Sequence, residues 1–482
     1  MTPDATASRM GIVFPHGAPT RLRWFCLGVI ILLIPFFCHY SRMAISREAA
    51  DFEYFYKASR WLLERGGMDG SYDLTPTGGV IPRGSIEWYL PFTSRFFTLI
   101  SWMPHDIAGY AWMLSNATCL IALMVILGRH FTDLPPRDWP VNTILPLIFT
   151  AVFWHWEFRL NQTDLFTLLL LTGAFVCWQR GRPNVSGLWL GIAILLKLTP
   201  GLLAIWFLLK RQYRVVFVAG LTALTFGPLA DLIVFRPDHV ADVYRAWAHN
   251  AIVRGSHTGL ILDQREIDWR NQSLSAVASR WLHPTTYDIH FDNDPRIRVD
   301  TRDLKINIAD LARPTIVKIV LSIAAISALG LFWLGRRPAS RMTPWELRLE
   351  WALFILAMLW LMPVMRRYHL IWAFPTIVIL GAALNHVGLR SWWSKWALGT
   401  TILVMVAQFV IGFQEYIDSN LLEAGGIFLA TVFALALPVI FILIYLARLP
   451  MEQRDRLFAT RRRVIAVSQP REYPVATQPT SA

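Results

Sequence analysis

The chain has 482 residues, 55% of them hydrophobic and only 16% charged, with a formal net charge of +13. So much apolar surface excludes a string of soluble globular domains, because only a bilayer can take up what such domains leave exposed. The positive charge does not point to nucleic acid, since the basic residues recur at the ends of apolar segments and in a tail from Arg448 to Arg471, a distribution that membrane topology explains better.

Residues 1–23 are polar and end on Arg21 and Arg23, and the apolar run from Trp24 to about Tyr40 lacks a clear cleavage site. This reads as a cytoplasmic N-terminal segment followed by an uncleaved signal anchor. Further apolar stretches lie near 106–128, 141–157, 162–178, 187–209, 215–235, 314–335, 347–364, 369–387, 396–414 and 425–447. Each approaches the roughly 20 residues that cross the hydrocarbon core. The four cysteines, Cys26, Cys38, Cys119 and Cys177, all fall inside apolar runs without ligand spacing, so neither a disulfide framework nor a zinc site is expected.

The stretch 187–209 decides the topology. As a single span it would invert every later loop and put the basic tail outside. As a hairpin broken at Leu198-Thr199-Pro200-Gly201, it leaves the short connections bearing Arg129, Arg137, Arg180, Arg182, Lys210, Arg211, Arg214, Arg336, Arg337, Arg341, Arg390 and Lys395 on the cytoplasmic side. Proline and glycine suit such a break, which is tolerated at membrane depth only inside protein or beside a water-filled cavity. The expectation is an all-α polytopic membrane protein of about ten full spans plus a re-entrant helical hairpin, occupying residues 24–447 as one membrane-embedded domain. Two long, partly helical outer loops, about 42–105 and 236–313, face away from the cytoplasm, and 448–482 forms a basic cytoplasmic tail. Both termini are then cytoplasmic.

The first long loop opens with a helical pattern from Arg47 to Leu63, on which Asp51 shares a face with Tyr54, Phe55, Ala58 and Leu62. A carboxylate on a mostly apolar face is partly desolvated and hence more basic, which suits a general base acting on an alcohol. The bland alternative is a helix cap or a pair with Lys57 or Arg47. Lys197 lies deep in an apolar stretch, where an ammonium is costly unless it meets water or an anion, or unless it snorkels to an interface. Arg366, Arg367 and His369 form a dense basic cluster in a short outer connection, fit either for phosphate or for lipid headgroups. Asn161-Gln162-Thr163-Asp164 and Asn271-Gln272-Ser273 are polar sequences at element starts, where capping accounts for much of the polarity. His257, Asp263, Asp268 and Asp292 lack any metal-ligand spacing, and there is no P-loop, GxGxxG or nucleophile elbow.

Taken in order, Asp51 with Tyr56 and Gly66, then Tyr72, Tyr89-Leu90-Pro91, Gln162, Gly181-Arg182, Gly187, Lys197-Leu198-Thr199-Pro200, Lys210-Arg211 and Asn271-Gln272-Ser273 resemble glycosyltransferase family 87. These are polyprenyl-phosphate-mannose-dependent α-mannosyltransferases of the GT-C membrane superfamily, and the resemblance covers roughly residues 45–285. The chain departs from the family where Asn161-Gln162-Thr163-Asp164 replaces a Gly-Gln-x-Asn sequence, and where only Arg367-Tyr368-His369 remains of a later His-rich motif.

The resemblance implies a GT-C-type bundle in the plasma membrane. It implies inverting transfer of a hexose, mannose first, from a polyprenyl-phosphate donor to a glycolipid or glycan acceptor at the outer face, with Asp51 as the base. Lys197, Arg366, Arg367 and His369 are then expected at the donor phosphate, and Tyr56, Trp88, Tyr89, Gln162, Asn271 and Gln272 around the substrate. No cofactor, metal site or nucleic-acid partner is expected, with a divalent cation left open. The rival readings are a secondary transporter, which the broken helix also fits, and a non-catalytic cell-envelope assembly protein.

Overall fold

A computed structural model describes residues 50–65, 89–234, 237–264, 267–287, 304–387 and 425–454, with isolated positions at 39, 395, 399, 403, 457 and 458. The expected spans at 24–41 and 396–414 lie outside this set, apart from those isolated positions. Among the described residues the chain is helical throughout, with no strand.

In order these helices are α1 (Ala50–Arg65), α2 (Pro91–Ser101), α3 (His105–Phe131), α4 (Trp139–Phe149), α5 (Ala151–Leu160), α6 (Asp164–Gln179), α7 (Pro183–Leu196), α8 (Gly201–Leu209) and α9 (Tyr213–Leu224). After a π-turn at Thr225–Leu229 come α10 (Ala230–Val234), α11 (Pro237–Trp247), α12 (His257–Asp263), α13 (Leu274–Leu282), α14 (Arg313–Gly335), α15 (Pro344–Leu361), α16 (Phe374–Val387) and α17 (Ile427–Arg448). Their starts follow local chemistry. Proline occupies the first turn of α2, α7, α14 and α15, where its missing N–H costs nothing. Thr343 and Glu346 close a reciprocal capping box at the start of α15, at 3.3 and 2.8 Å.

Among the described residues, five helical stretches are long and apolar enough to cross a bilayer: His105–Phe131, Tyr213–Val234, Arg313–Gly335, Arg367–Leu384 and Ile427–Arg448. The chain is therefore an all-α polytopic membrane protein. Several of the ten expected spans take other forms. The stretch near 141–157 divides into α4 and α5 at Thr150, α5 and α6 meet at an angle of 114°, and 187–209 divides into α7 and α8. The stretch near 347–364 is α15, whose 18 residues carry Glu346, Arg348 and Glu350 and are buried along almost the whole helix. It is a core helix surrounded by other helices, which is why charge is tolerated there.

Contacts fix the directions of these helices. At one end of α3, Trp112 Nε1 donates to Asn161 O (3.0 Å), and at the other His130 meets Arg180 (2.8 Å). Helices α3 and α6 therefore run parallel, and α4 with α5 carries the chain back between them. Gly187 of α7 lies against Val215 and Val218 of α9, and Gly191 one turn later against Ala219 and Thr222. A Cβ at Gly187 would come within 2.6 Å of Val215 O, so this approach requires glycine. The register is parallel, so the chain has returned through α8 before α9 begins. With nine residues, α8 spans roughly 14 Å, under half of a ~30 Å hydrocarbon core. The stretch 187–209 thus folds back on itself, with Lys197 to Pro200 at its tip.

The bundle consequently has two distinct ends. One gathers Asp51, Tyr89, Gln162, Lys197 and Arg366. The other gathers the basic connections, tied together by Arg348–Asp133 (2.7 Å), Arg337–Glu346 (2.5 Å), Arg454–Glu346 (3.1 Å) and the donation of Lys210 to Gly335 O (2.8 Å).

Candidate active site

Helix α1 presents Phe52, Phe55, Ser59 and Leu62 inward at helical spacing. Phe55 stacks on Phe97 of α2 at 4.8 Å, and Ser59 Oγ donates to Ser94 O at 2.8 Å, so α1 is docked by both packing and a hydrogen bond. Asp51 stands half-buried at the edge of this stripe, one turn from Phe55. Its predicted alternative partner Lys57 pairs instead with Glu53 at 3.0 Å, and Glu53 also meets His105 at 2.5 Å. Arg47 lies outside the described residues.

The partner of Asp51 is Gln162, whose Nε2 donates to Asp51 Oδ2. Gln162 is held from several directions. Its Oε1 lies 3.5 Å from the Tyr89 hydroxyl and 3.3 Å from Thr163 N, and its backbone oxygen accepts from Asn116 Nδ2 at 3.0 Å. With the amide oxygen occupied by donors, the NH2 end is left facing the carboxylate. The turn that makes this possible rests on Asn161, which adopts a left-handed φ of 53° at the end of α5. Asn161 is locked by Asn116 (3.1 Å) and by Gly109 O (3.2 Å).

Two cations approach the same carboxylate. Lys197 ends α7 in extended conformation, its Nζ 2.5 Å from Asp164 Oδ2 and 5.9 and 5.7 Å from the ring centres of Tyr89 and Tyr368. Arg366 donates to Asp268 Oδ1 at 3.1 Å. Burial raises the Asp51 carboxyl to about 6, while Gln162, Arg366 and Lys197 oppose the rise. Burial and the negative charges of Asp164 and Asp51 push the Tyr89 hydroxyl well above its usual range, so it stays a donor to Gln162.

The remaining expected site residues are distributed less uniformly. Arg367 is buried, its guanidinium between the rings of Trp156 and Trp269 at 4.9 and 5.0 Å. His369 accepts from Arg366 N at 2.8 Å and so sets the local turn. Asn271 and Gln272 are fully buried: Asn271 Oδ1 accepts from Met365 N (3.0 Å), and Gln272 N donates to Met365 O (2.7 Å). These four residues shape the connection that presents Arg366. Tyr56 donates to Met103 O at 2.9 Å and packs on His105, on the other side of α1 from the Gln162 contact. Trp88 lies outside the described residues.

Four neighbours in the site are not evident from sequence reasoning. Asp164 has the look of a helix start, yet it carries the Lys197 contact. Asp268 is buried and shared between Arg366 and Arg270. Tyr368 forms one of the two rings beside Lys197. Arg280 is fully buried and donates to the carbonyls of Ile267, Asp268 and Asn271 at 2.9, 2.6 and 2.9 Å, pinning the loop that bears Asp268. The polar sequence around Asp164 is a usable signal; an arginine in the last turn of α13 is not. Among the described residues no cluster of three or more His, Cys, Asp or Glu side chains is placed to hold a metal.

The arrangement brings a basic carboxylate and two cations together at one end of the bundle. Comparison with known proteins bears on it. A relative from Mycobacterium tuberculosis, named polyprenol-phosphate-mannose-dependent alpha-(1-2)-phosphatidylinositol mannoside mannosyltransferase, is 29% identical over 182 residues. The match takes in 33% of this chain, and the chain spans only 40% of the length of that relative. No solved structure matches the chain. Residues 88–299 match the family described as Glycosyltransferase family 87, a segment that holds Tyr89, Gln162, Asp164, Lys197 and Asp268 but not Asp51 or Arg366. Over that segment, the chain is similar to glycosyltransferase family 87.

Proposed function

We propose that this protein is a membrane glycosyltransferase that moves a hexose, mannose in the first instance, from a polyprenyl phosphate to a glycolipid or glycan acceptor. The observation that carries this reading is the convergence of Asp51, Gln162, Lys197 and Arg366, drawn from four separate stretches of sequence, at one end of the bundle. The donor and a glycolipid acceptor are supported by the activity for which the mycobacterial relative is named.

In the proposed reaction the acceptor hydroxyl oxygen attacks the anomeric carbon as its proton passes to Asp51. The anomeric C–O bond to phosphate breaks, and the polyprenyl phosphate leaves with the electron pair. Attack opposite the leaving group inverts the anomeric centre. A carboxyl near 6 is mostly ionised at neutral pH yet more basic than an exposed aspartate, which matches the demand on a general base. The departing phosphate requires positive charge already in place, which Lys197 and Arg366 supply. Each has a carboxylate partner, Asp164 and Asp268, that holds it in position without the donor. The scheme requires no cofactor. The basic end of the bundle is assigned to the cytoplasm by the positive-inside rule, which puts Asp51 on the non-cytoplasmic face of the plasma membrane.

The test is transfer by purified protein in liposomes from a polyprenyl-phosphate mannose to extracted lipid acceptors. Asp51→Asn retains shape and removes basicity, and the expected loss is about 10²- to 10⁴-fold, the usual worth of a general base. Unchanged transfer by that variant would remove Asp51 from the mechanism.

A further inference from the structure

At the end of the bundle remote from Asp51, a cavity of about 270 Å³ opens between the last turns of α14 and α17. Its lining includes Trp333, Arg336, Arg337, Glu350, Leu443 and Arg448. Two of these charges are committed elsewhere: Arg337 pairs with Glu346 at 2.5 Å, and Glu350 with Lys210 and with Trp206 Nε1, the latter at 2.9 Å. Arg336 and Arg448 are both exposed, and among the described residues neither meets a carboxylate. The Arg336 guanidinium lies 4.8 Å over the Trp333 ring.

Away from these guanidiniums both helices carry exposed apolar side chains. Both helices are of membrane-spanning length and composition, and Leu329, Phe332 and Trp333 on α14 and Phe441 and Tyr445 on α17 are exposed. Two arginines from helices far apart in the sequence converge on one cavity, whose lining also holds Leu334, Leu443, Ile444 and Ala447.

We propose that this cavity binds an anionic phospholipid, its phosphate forked by Arg336 and Arg448 and an acyl chain lying along the groove between α14 and α17. Guanidinium geometry matches phosphate oxygens, and basic pockets between spanning helices are suited to anionic headgroups. The apolar walls select a lipid over a free anion. The site is independent of the transfer reaction and does not involve any residue placed near Asp51.

The experiment uses the full chain in nanodiscs of phosphatidylcholine alone, of phosphatidylcholine with phosphatidylglycerol, and of phosphatidylcholine with inorganic phosphate added. Thermal unfolding and lipid retention by native mass spectrometry are the readouts. The expected result is a rise of a few degrees and a retained phosphatidylglycerol with the mixed lipid only. Arg336→Gln/Arg448→Gln should weaken retention at least tenfold, whereas Arg341→Gln, exposed at the same end but outside the cavity, should not. Equal behaviour of the two lipids, full retention by the double variant, or equal loss with Arg341→Gln would overturn the proposal. Stabilisation by inorganic phosphate alone would replace the lipid with a soluble anion. If the double variant does not fold, phosphatidylglycerol is titrated into the unaltered protein instead: saturable binding supports the site, and its absence overturns it.

Discussion

The two ends of the bundle use similar charged residues to opposite purposes. At the basic end, Lys210 and Glu350 are sealed from solvent at 0% and 1% side-chain exposure, and Lys210 also donates to the Gly335 and Arg337 carbonyls. Such a pair, closed on itself, is structural. At the Asp51 end, Asp51, Tyr89, Lys197, Arg366 and Tyr368 are each partly exposed. A buried charge costs free energy unless its partners are complete, and the partly exposed charges gathered around Asp51 are where the proposed donor would act.

Substitutions at the two ends should therefore fail differently. The largest effect is expected for Asp51→Asn, with transfer falling about 10²- to 10⁴-fold and thermal unfolding little changed. If unfolding temperature falls along with activity, Asp51 belongs with the structural charges and the contrast collapses. Lys210→Met should do the reverse, costing about 3–5 kcal/mol of stability by stranding Glu350, with much of it regained in Lys210→Met/Glu350→Met. Unfolding curves in detergent test this, and a selective loss of transfer at normal stability would overturn it.

Arg366→Gln should lower transfer from the phosphate-linked donor by about tenfold or more, the scale of one charged hydrogen bond of about 1.5–3 kcal/mol. Steady-state kinetics against donor concentration provide the measure, and a change confined to acceptor KM would remove Arg366 from the donor phosphate. The smallest effect concerns pH. Because Asp51 acts ionised with a carboxyl near 6, kcat/KM should fall tenfold per pH unit below about 6 and level off above it. Gln162 lowers that carboxyl, so Gln162→Leu should move the acid limb upward. A downward or absent shift would mean that Asp51 is not the titrating group.

Legibility of the site in the sequence differs from residue to residue. Asp51 and Lys197 can be picked out because a charge in an apolar context is visible from its immediate neighbours. Arg366, Arg367 and His369 form one basic cluster by composition. Folding separates them, sending Arg366 toward Asp51, Arg367 between two tryptophans and His369 to a backbone N–H. Asn271 and Gln272 show the right polarity for ligands, but the Asn271 side-chain oxygen accepts from the backbone of Met365, a residue remote in the sequence, and the Gln272 side-chain amide donates to Trp269 O.

What the sequence by itself determined is what depends on near neighbours: helical character, the broken stretch at Lys197 to Gly201, and the bias of basic residues toward one set of connections. Hydropathy and helical period are local quantities, and proline, glycine and capping residues act within a turn or two. Tertiary structure alone decided which polar groups meet. The parallel register of α7 and α9 closes the hairpin, the left-handed turn at Asn161 aims Gln162 at Asp51, and Arg280 anchors the loop that holds Asp268. Most of those contacts join segments distant in the sequence, and only the packing of whole helices sets their distances and directions.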